Sequence, residues 1–130
     1  MASWAARASS GRSALSSTGW PSSRRTTLWD PNITWTEGEH NTLTGTRKGT
    51  DEVLTLLGHV ARVTGGTFAL DIEQIIADDT RAVVICNTTG TRDGSSYAFR
   101  SAHLWTIESG KLTSFEEFNT DGQASDQLFA

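Results

Sequence analysis

A chain of 130 residues has the length of one domain. Its net charge of −4 speaks against a nucleic-acid partner, because gripping phosphates takes a basic surface. No apolar run approaches the roughly 20 residues that span a bilayer, so no membrane partner is expected. The one cysteine, Cys86, excludes an internal disulfide and a multi-cysteine metal site; in the run Ala82-Val83-Val84-Ile85-Cys86 it reads as a small buried thiol in a strand.

The charge is unevenly spread. All fifteen acidic residues lie at Asp30 or later, whereas the first stretch carries Arg7, Arg12, Arg24 and Arg25 among Ser, Ala, Thr and Gly. Residues 1–28 therefore read as a low-complexity segment. A targeting sequence, a disordered tail and a misassigned gene start all fit that composition. It has no continuous apolar stretch of the secretory kind, so a cytoplasmic protein is expected. Residues 29–130 read as the domain.

From Asp30 the pattern becomes structural. Ile33 to Glu37 reads as a strand with Ile33 and Trp35 on one face. Gly38, Asn41 and Gly45 mark turns or irregular chain. The clearest helix follows, with Thr50 as its expected cap and Asp51 and Glu52 at the positive end of its dipole. Val53, Leu56, Leu57, Val60 and Ala61 form its apolar face, and Gly65-Gly66 ends it. The period then changes to two. Phe68, Leu70 and Ile72 alternate with Ala69, Asp71 and Glu73 in a half-buried strand. Asp78-Asp79 turns the chain into a second strand from about Arg81 to Arg92. Asp93-Gly94 is a hairpin signal. A third strand covers about Tyr97 to Ile107, Ser109-Gly110 turns again, and Leu112 to Asn119 is the last strand. The tail from Asp121 has room for a short helix. Strand, helix and antiparallel meander make an α+β pattern.

The order of these elements resembles the nuclear transport factor 2-like superfamily, near its SnoaL-like and ketosteroid-isomerase-like branches. The local sequences that carry the resemblance are Asp30-Pro31-Asn32-Ile33-Thr34-Trp35, Leu43 to Val53, Gly65-Gly66-Thr67-Phe68, Ala77-Asp78-Asp79, Arg92-Asp93-Gly94, His103-Leu104-Trp105 and Ser109 to Thr113 with Asp121. The resemblance implies a cone-shaped fold, a curved antiparallel sheet wrapped around helices, with a ligand pocket inside. It also implies a homodimer through the outer sheet face. Relatives normally begin with helices that close the cone, and residues 1–28 do not match them. A catalytic tyrosine from that region is absent, since Tyr97 is the only tyrosine.

The resemblance also suggests where chemistry would sit. Counting from shared glycines puts the isomerase base position near Glu39 or His40 and the oxyanion-donor position near His103. Asp121, at the end of the last strand, is where related cyclases keep an acid. His40 is thus the expected base, His103 the group that polarises a carbonyl, and Asp121 an orienting or shuttling acid. Trp35, Trp105, Phe115, Glu117 and Asn119 are the expected substrate contacts. Only one of the adjacent Glu116 and Glu117 can face inward. His59, beside the apolar stripe, reads as surface or structural. Three dispersed histidines without metal spacing argue for no metal, and no cofactor is expected. The expected function is cofactor-independent acid–base chemistry on a small apolar, ring-bearing substrate: an isomerase, cyclase, dehydratase or hydrolase. A non-catalytic ligand-binding or dimerisation domain is the alternative, because this fold hosts both.

Overall fold

The computed structural model describes residues 28–130. The expectations for the arginine-rich segment fall, apart from Leu28, outside the described residues. The elements run β1 (Trp29–Glu37), β2 (Gly45–Lys48), α1 (Thr50–Val63), β3 (Ala69–Ala77), β4 (Arg81–Arg92), β5 (Ser95–Glu108), β6 (Lys111–Asn119) and α2 (Gly122–Leu128). The strands form one curved six-stranded sheet in the order β2-β1-β6-β5-β4-β3. This is the α+β architecture expected.

β3 to β6 form the antiparallel meander, turned at Asp93-Gly94 and Ser109-Gly110. The first residue of each turn adopts positive φ, as do both glycines. That conformation suits tight hairpins with right-handed strand twist. The sheet is mixed rather than wholly antiparallel, because β1 runs parallel to β6, with Trp35 opposite Phe115. A parallel pairing needs a long crossover, and here everything from β2 to β5 supplies it. β2, expected as irregular chain, pairs antiparallel with β1 through Thr34–Lys48 to Glu37–Gly45. A glycine and three polar residues with no apolar alternation gave no strand signal, so the neighbour's open edge, not local propensity, makes the strand.

α1 buries Val53, Leu56, Leu57 and Val60 of the predicted stripe and leaves its fifth member, Ala61, half-buried. Its cap is Gly49, not Thr50. Gly49 sits at φ 88, and its N–H donates to the Ile33 carbonyl at 2.7 Å. The positive φ favours glycine, and Thr50 is already helical. The Glu52 carboxylate accepts from the Lys48 N–H in the turn before the helix.

On the inner face the core joins Ile33, Trp35, Val84, Cys86, Phe99, Trp105, Ile107, Leu112 and Phe115 to the α1 stripe and to Leu128 and Phe129. Trp35 stacks on Phe115 with ring centres 3.8 Å apart, and Trp105 meets both rings edge-on. Such offset and edge contacts add to the burial itself. Phe118 is 53% exposed on the outer face. It lies one residue from Glu117, and in a strand one step reverses the face. α2 closes the end of the sheet near β4 and β5, where Gly90 leaves space for Leu128.

Candidate functional site

The inner face of β5 carries Phe99, Ser101, His103 and Trp105, all buried. β6 opposes it with Asn119 beside Ser101, Glu117 beside His103 and Phe115 beside Trp105. The alternation that puts Phe115 inward also brings Glu117 inward and leaves Glu116 and Phe118 outside. On the other side of β6, strand β1 turns Ile33, Trp35 and Glu37 to the same interior.

These strands bring two carboxyl groups and one imidazole together. His103 Nε2 donates to Glu117 Oε2 at 2.9 Å, and Cys86 Sγ lies 3.8 Å from the same nitrogen. Nδ1 of His103 is buried and has no hydrogen-bond partner among the described residues. Glu37 shares a hydrogen bond with Glu117 and accepts one from Trp35 Nε1 at 3.2 Å.

The charge states follow from competition between burial and partners. Burial alone would lower the pKa of His103. Its contacts with Cys86 and Glu117 outweigh that and raise it to about 10, so the ring is an imidazolium at neutral pH. Burial would raise Glu117, but the hydrogen bond and charge of His103 and the hydrogen bonds from Glu37 and Asn119 lower it instead. Glu37 goes the other way. Burial, then the charge of Glu117 and the bond between them, push Glu37 well above the usual carboxylate range. Two adjacent carboxyl groups cannot both ionise cheaply. Because His103 stands beside Glu117, Glu37 is the one of the two that holds a proton more tightly. The site therefore sets a carboxyl of raised pKa, a carboxyl of lowered pKa and an imidazole of raised pKa in contact.

The three groups line one end of a cavity of about 30 Å³. Trp35, Leu57, Val60, Leu70, Phe99 and Phe115 form its walls, while Leu43, Phe68 and Phe129 come from segments outside the strands and α1. That volume holds roughly one or two water molecules. A ring-bearing ligand enters only when covering side chains move aside.

Of the eight residues singled out by sequence, Trp35, His103, Phe115 and Glu117 line the cavity. Trp105 and Asn119 do not. Trp105 is sealed behind the Trp35 and Phe115 rings, and Asn119 instead bonds to Ser101 and Glu117. The expected placement of His40 and Asp121 in the pocket is corrected. His40 is exposed in the turn after β1, where its backbone N–H donates to Asp126 Oδ1 at 2.9 Å. The chain leaves the strand after Glu37, so His40 lies beyond the sheet. Asp121 is the exposed cap of α2, accepting from the Ala124 N–H at 3.1 Å. That hydrogen bond commits its carboxylate to the helix end.

Glu37 was missed as a site residue, although its signal was available: it continues the Ile33, Trp35 alternation by one more step. His59 stands elsewhere, bonded to Thr42 Oγ1 at 3.0 Å beside an open groove of about 520 Å³ that shares no lining residue with the cavity. Burial lowers its pKa, as do the charges of Arg62, Arg47 and Arg92.

The SnoaL-like domain profile matches residues 22–115. The chain belongs to the SnoaL-like domain family. This SnoaL-like chain is 29% identical over 94 residues to an uncharacterised protein of Mycobacterium tuberculosis, covering 72% of this chain and 71% of the relative. Among solved structures it is similar to Bal32a, from a soil-derived mobile gene cassette, with a TM-score of 0.86, 24% identity and coverage of 99% and 95% of the two chains. It is also similar to TerC, which was co-crystallised with polyporic acid, with a TM-score of 0.77, 24% identity and coverage of 98% and 95%. Proteins described as NTF2-like share the fold as well. These likenesses show that the SnoaL-like chain shares the NTF2-like fold. At such identities they speak for the fold, and the chemistry must come from the site. None of the helices among the described residues is long and apolar enough to cross a membrane.

Proposed function

We propose that this SnoaL-like protein is a small-molecule enzyme that performs acid–base chemistry with its own side chains. The single observation that carries this reading is the contact of Glu37 with Glu117, beside His103 in an aromatic cavity, which shifts the two carboxyl groups in opposite directions. Environments that drive two neighbouring carboxyl groups to opposite charge states assign one as acid and the other as base. Glu117 accepts a proton from the carbon next to a carbonyl. Glu37 donates its proton to the oxygen on which charge develops, or to a leaving hydroxyl. The His103 imidazolium keeps Glu117 ionised between turnovers. This replaces the roles expected for His40 and Asp121, since neither reaches the cavity.

The substrate is small, largely apolar and ring-bearing. Trp35, Phe99 and Phe115 offer ring faces, and the polar groups are few and gathered at one end, the usual make-up of a small-molecule pocket. The co-crystallisation of TerC with polyporic acid supports a small organic ligand for this cavity. Isomerisation, aldol-type cyclisation and dehydration can each begin with this pair of transfers, whereas in hydrolysis Glu117 would instead take a proton from the attacking water.

The test is proton exchange. A panel of cyclic ketones and phenolic ketones is incubated in D2O with wild type, Glu37→Gln and Glu117→Gln, and loss of the α-proton signal is followed by NMR. Exchange by wild type that falls at least a hundredfold in both variants supports the reading. Ligands that bind without any exchange favour a non-catalytic binding domain.

The same reading includes a second copy of the chain on the outer sheet face. Phe118 and Ile76 are more than half exposed there, and the register aligns Ile76, Val83 and Leu104 in one row and Ile85, Ala102 and Phe118 in the next. An apolar patch of this kind on a sheet suits self-pairing.

A further inference from the structure

We infer that Asn119, oriented by Ser101 and Thr88, is a positioning residue that fixes Glu117 as the charged member of the carboxyl pair. This rests on the acid–base reading and adds to it the device that keeps the two carboxyl groups distinct.

The argument begins with hydrogen-bond direction. Ser101 Oγ lies 2.7 Å from Asn119 Oδ1, and Thr88 Oγ1 lies 3.2 Å from Ser101 Oγ. A hydroxyl has one proton, and an amide oxygen can only accept. Ser101 spends its proton on Asn119, so Thr88 must donate to Ser101. Asn119 then has its oxygen on Ser101 and its NH2 group toward Glu117, with Nδ2 3.5 Å from Oε1. The flipped amide would set Oδ1 against a carboxylate and is disfavoured.

The three residues lie on neighbouring strands. Thr88 is on β4, Ser101 on β5 and Asn119 on β6, with Ser101 and Asn119 directly opposite. Thr88 and Ser101 are buried, so water does not compete for these groups. The proton order therefore runs one way, from Thr88 through Ser101 and Asn119 to Glu117. At the other carboxylate oxygen, Oε2, His103 Nε2 donates at 2.9 Å. Glu117 thus has a donor on each oxygen. Among the described residues Glu37 has one donor, Trp35 Nε1, besides its hydrogen bond with Glu117 itself. That asymmetry favours charge on Glu117 and the proton on Glu37. The contact from Asn119 is long, so its share is smaller than that of His103. Its effect is on which carboxyl titrates first.

The test is carboxyl-carbon NMR on the full chain labelled with carbon-13, with the Glu37 and Glu117 signals followed from pH 3 to 10. It compares wild type, Asn119→Ala, Ser101→Ala and Ser101→Thr. In Asn119→Ala the midpoint of Glu117 rises and that of Glu37 falls, each by about half a pH unit, the scale of one weak hydrogen bond to a charge. Ser101→Ala moves both midpoints the same way by less, and Ser101→Thr, which keeps the hydroxyl, returns them toward wild type. Folded Asn119→Ala and Ser101→Ala proteins whose curves overlay the wild type would overturn the inference. Should Asn119→Ala lose its fold, the Ser101 pair decides in the same way. The acid–base reading has its own marker in the same data. A wild-type Glu37 that titrates as an ordinary carboxyl overturns that reading, while the positioning of Glu117 still stands or falls on the Glu117 curves.

Discussion

His103 and Glu117 are directly opposite each other on β5 and β6, and a 2.9 Å hydrogen bond joins them where both side chains are largely shielded from solvent. Each partner's titration carries stability. His103 is raised from 6.5 to about 10, so its contribution is complete below 6.5 and is lost as pH climbs through about 10. Glu117 is lowered from 4.5, so its contribution is present above 4.5 and is lost as pH falls through its folded value. Glu37, raised from 4.5, adds stability at low pH that fades as pH rises through its own folded value. The melting temperature of wild type should therefore fall between pH 7 and pH 10, and His103→Gln should flatten that decline. Calorimetric scans at half-unit intervals check it. A wild-type curve as flat as that of the variant would mean that His103 carries no charge at neutral pH.

The two glutamates should respond differently to the same substitution. Glu117→Gln strips the imidazolium of its counter-charge, and breaking a buried pair in this way costs about 3 kcal/mol. Glu37→Gln replaces a neutral carboxyl with a neutral amide that still donates to Glu117 and accepts from Trp35. Its cost should stay below about 1 kcal/mol. Urea denaturation at pH 7 measures both. Equal losses would contradict the assignment of the proton to Glu37.

Leu57 belongs to the buried stripe of α1 and also forms part of the cavity wall. Leu57→Ala should cost about 2–5 kcal/mol, from lost burial and an enlarged void. The same variant should bind aromatic ligands more tightly than wild type at temperatures where it stays folded, because the cavity is otherwise small. Chemical denaturation and ligand titration by tryptophan fluorescence give the two numbers.

On the outer face, Phe118→Ser should convert a dimer to a monomer in sedimentation equilibrium. It should leave the unfolding free energy of the monomer nearly unchanged, since Phe118 is 53% exposed within one chain. A wild type that sediments as a monomer at all concentrations would refute pairing through this face.

Most of the fold was legible because its signals are local. Alternation along β4, β5 and β6 and the two hairpin turns placed His103, Phe115 and Glu117 on one face. The helical stripe gave α1 with the residues it buries. The site was only half legible. Glu37 came from the same alternation, but counting along a resemblance drew attention to the polar turn beyond it, and His40 lies past the end of the strand. The parallel pairing of β1 with β6 left no trace in either strand alone, because partners distant in sequence are chosen by the assembled sheet. Without that pairing nothing in the sequence says that Glu37 meets Glu117. Asp121 looked like chemistry and proved to be a helix cap, a use that aspartate shares with active sites for the same reason, its readiness to accept a hydrogen bond.

The pairing of β1 with β6 has one more consequence. Glu37 is delivered by the first strand of the sheet and Glu117 by the last. On a ribosome the first is exposed long before the second exists, and a chain stopped after β5 has the imidazole without either the carboxylate that charges it or a lasting partner for the acid. The proposed proton-handling unit is therefore complete only once β6 has paired with both β1 and β5, and no stretch of chain that stops short of β6 holds both carboxyl groups.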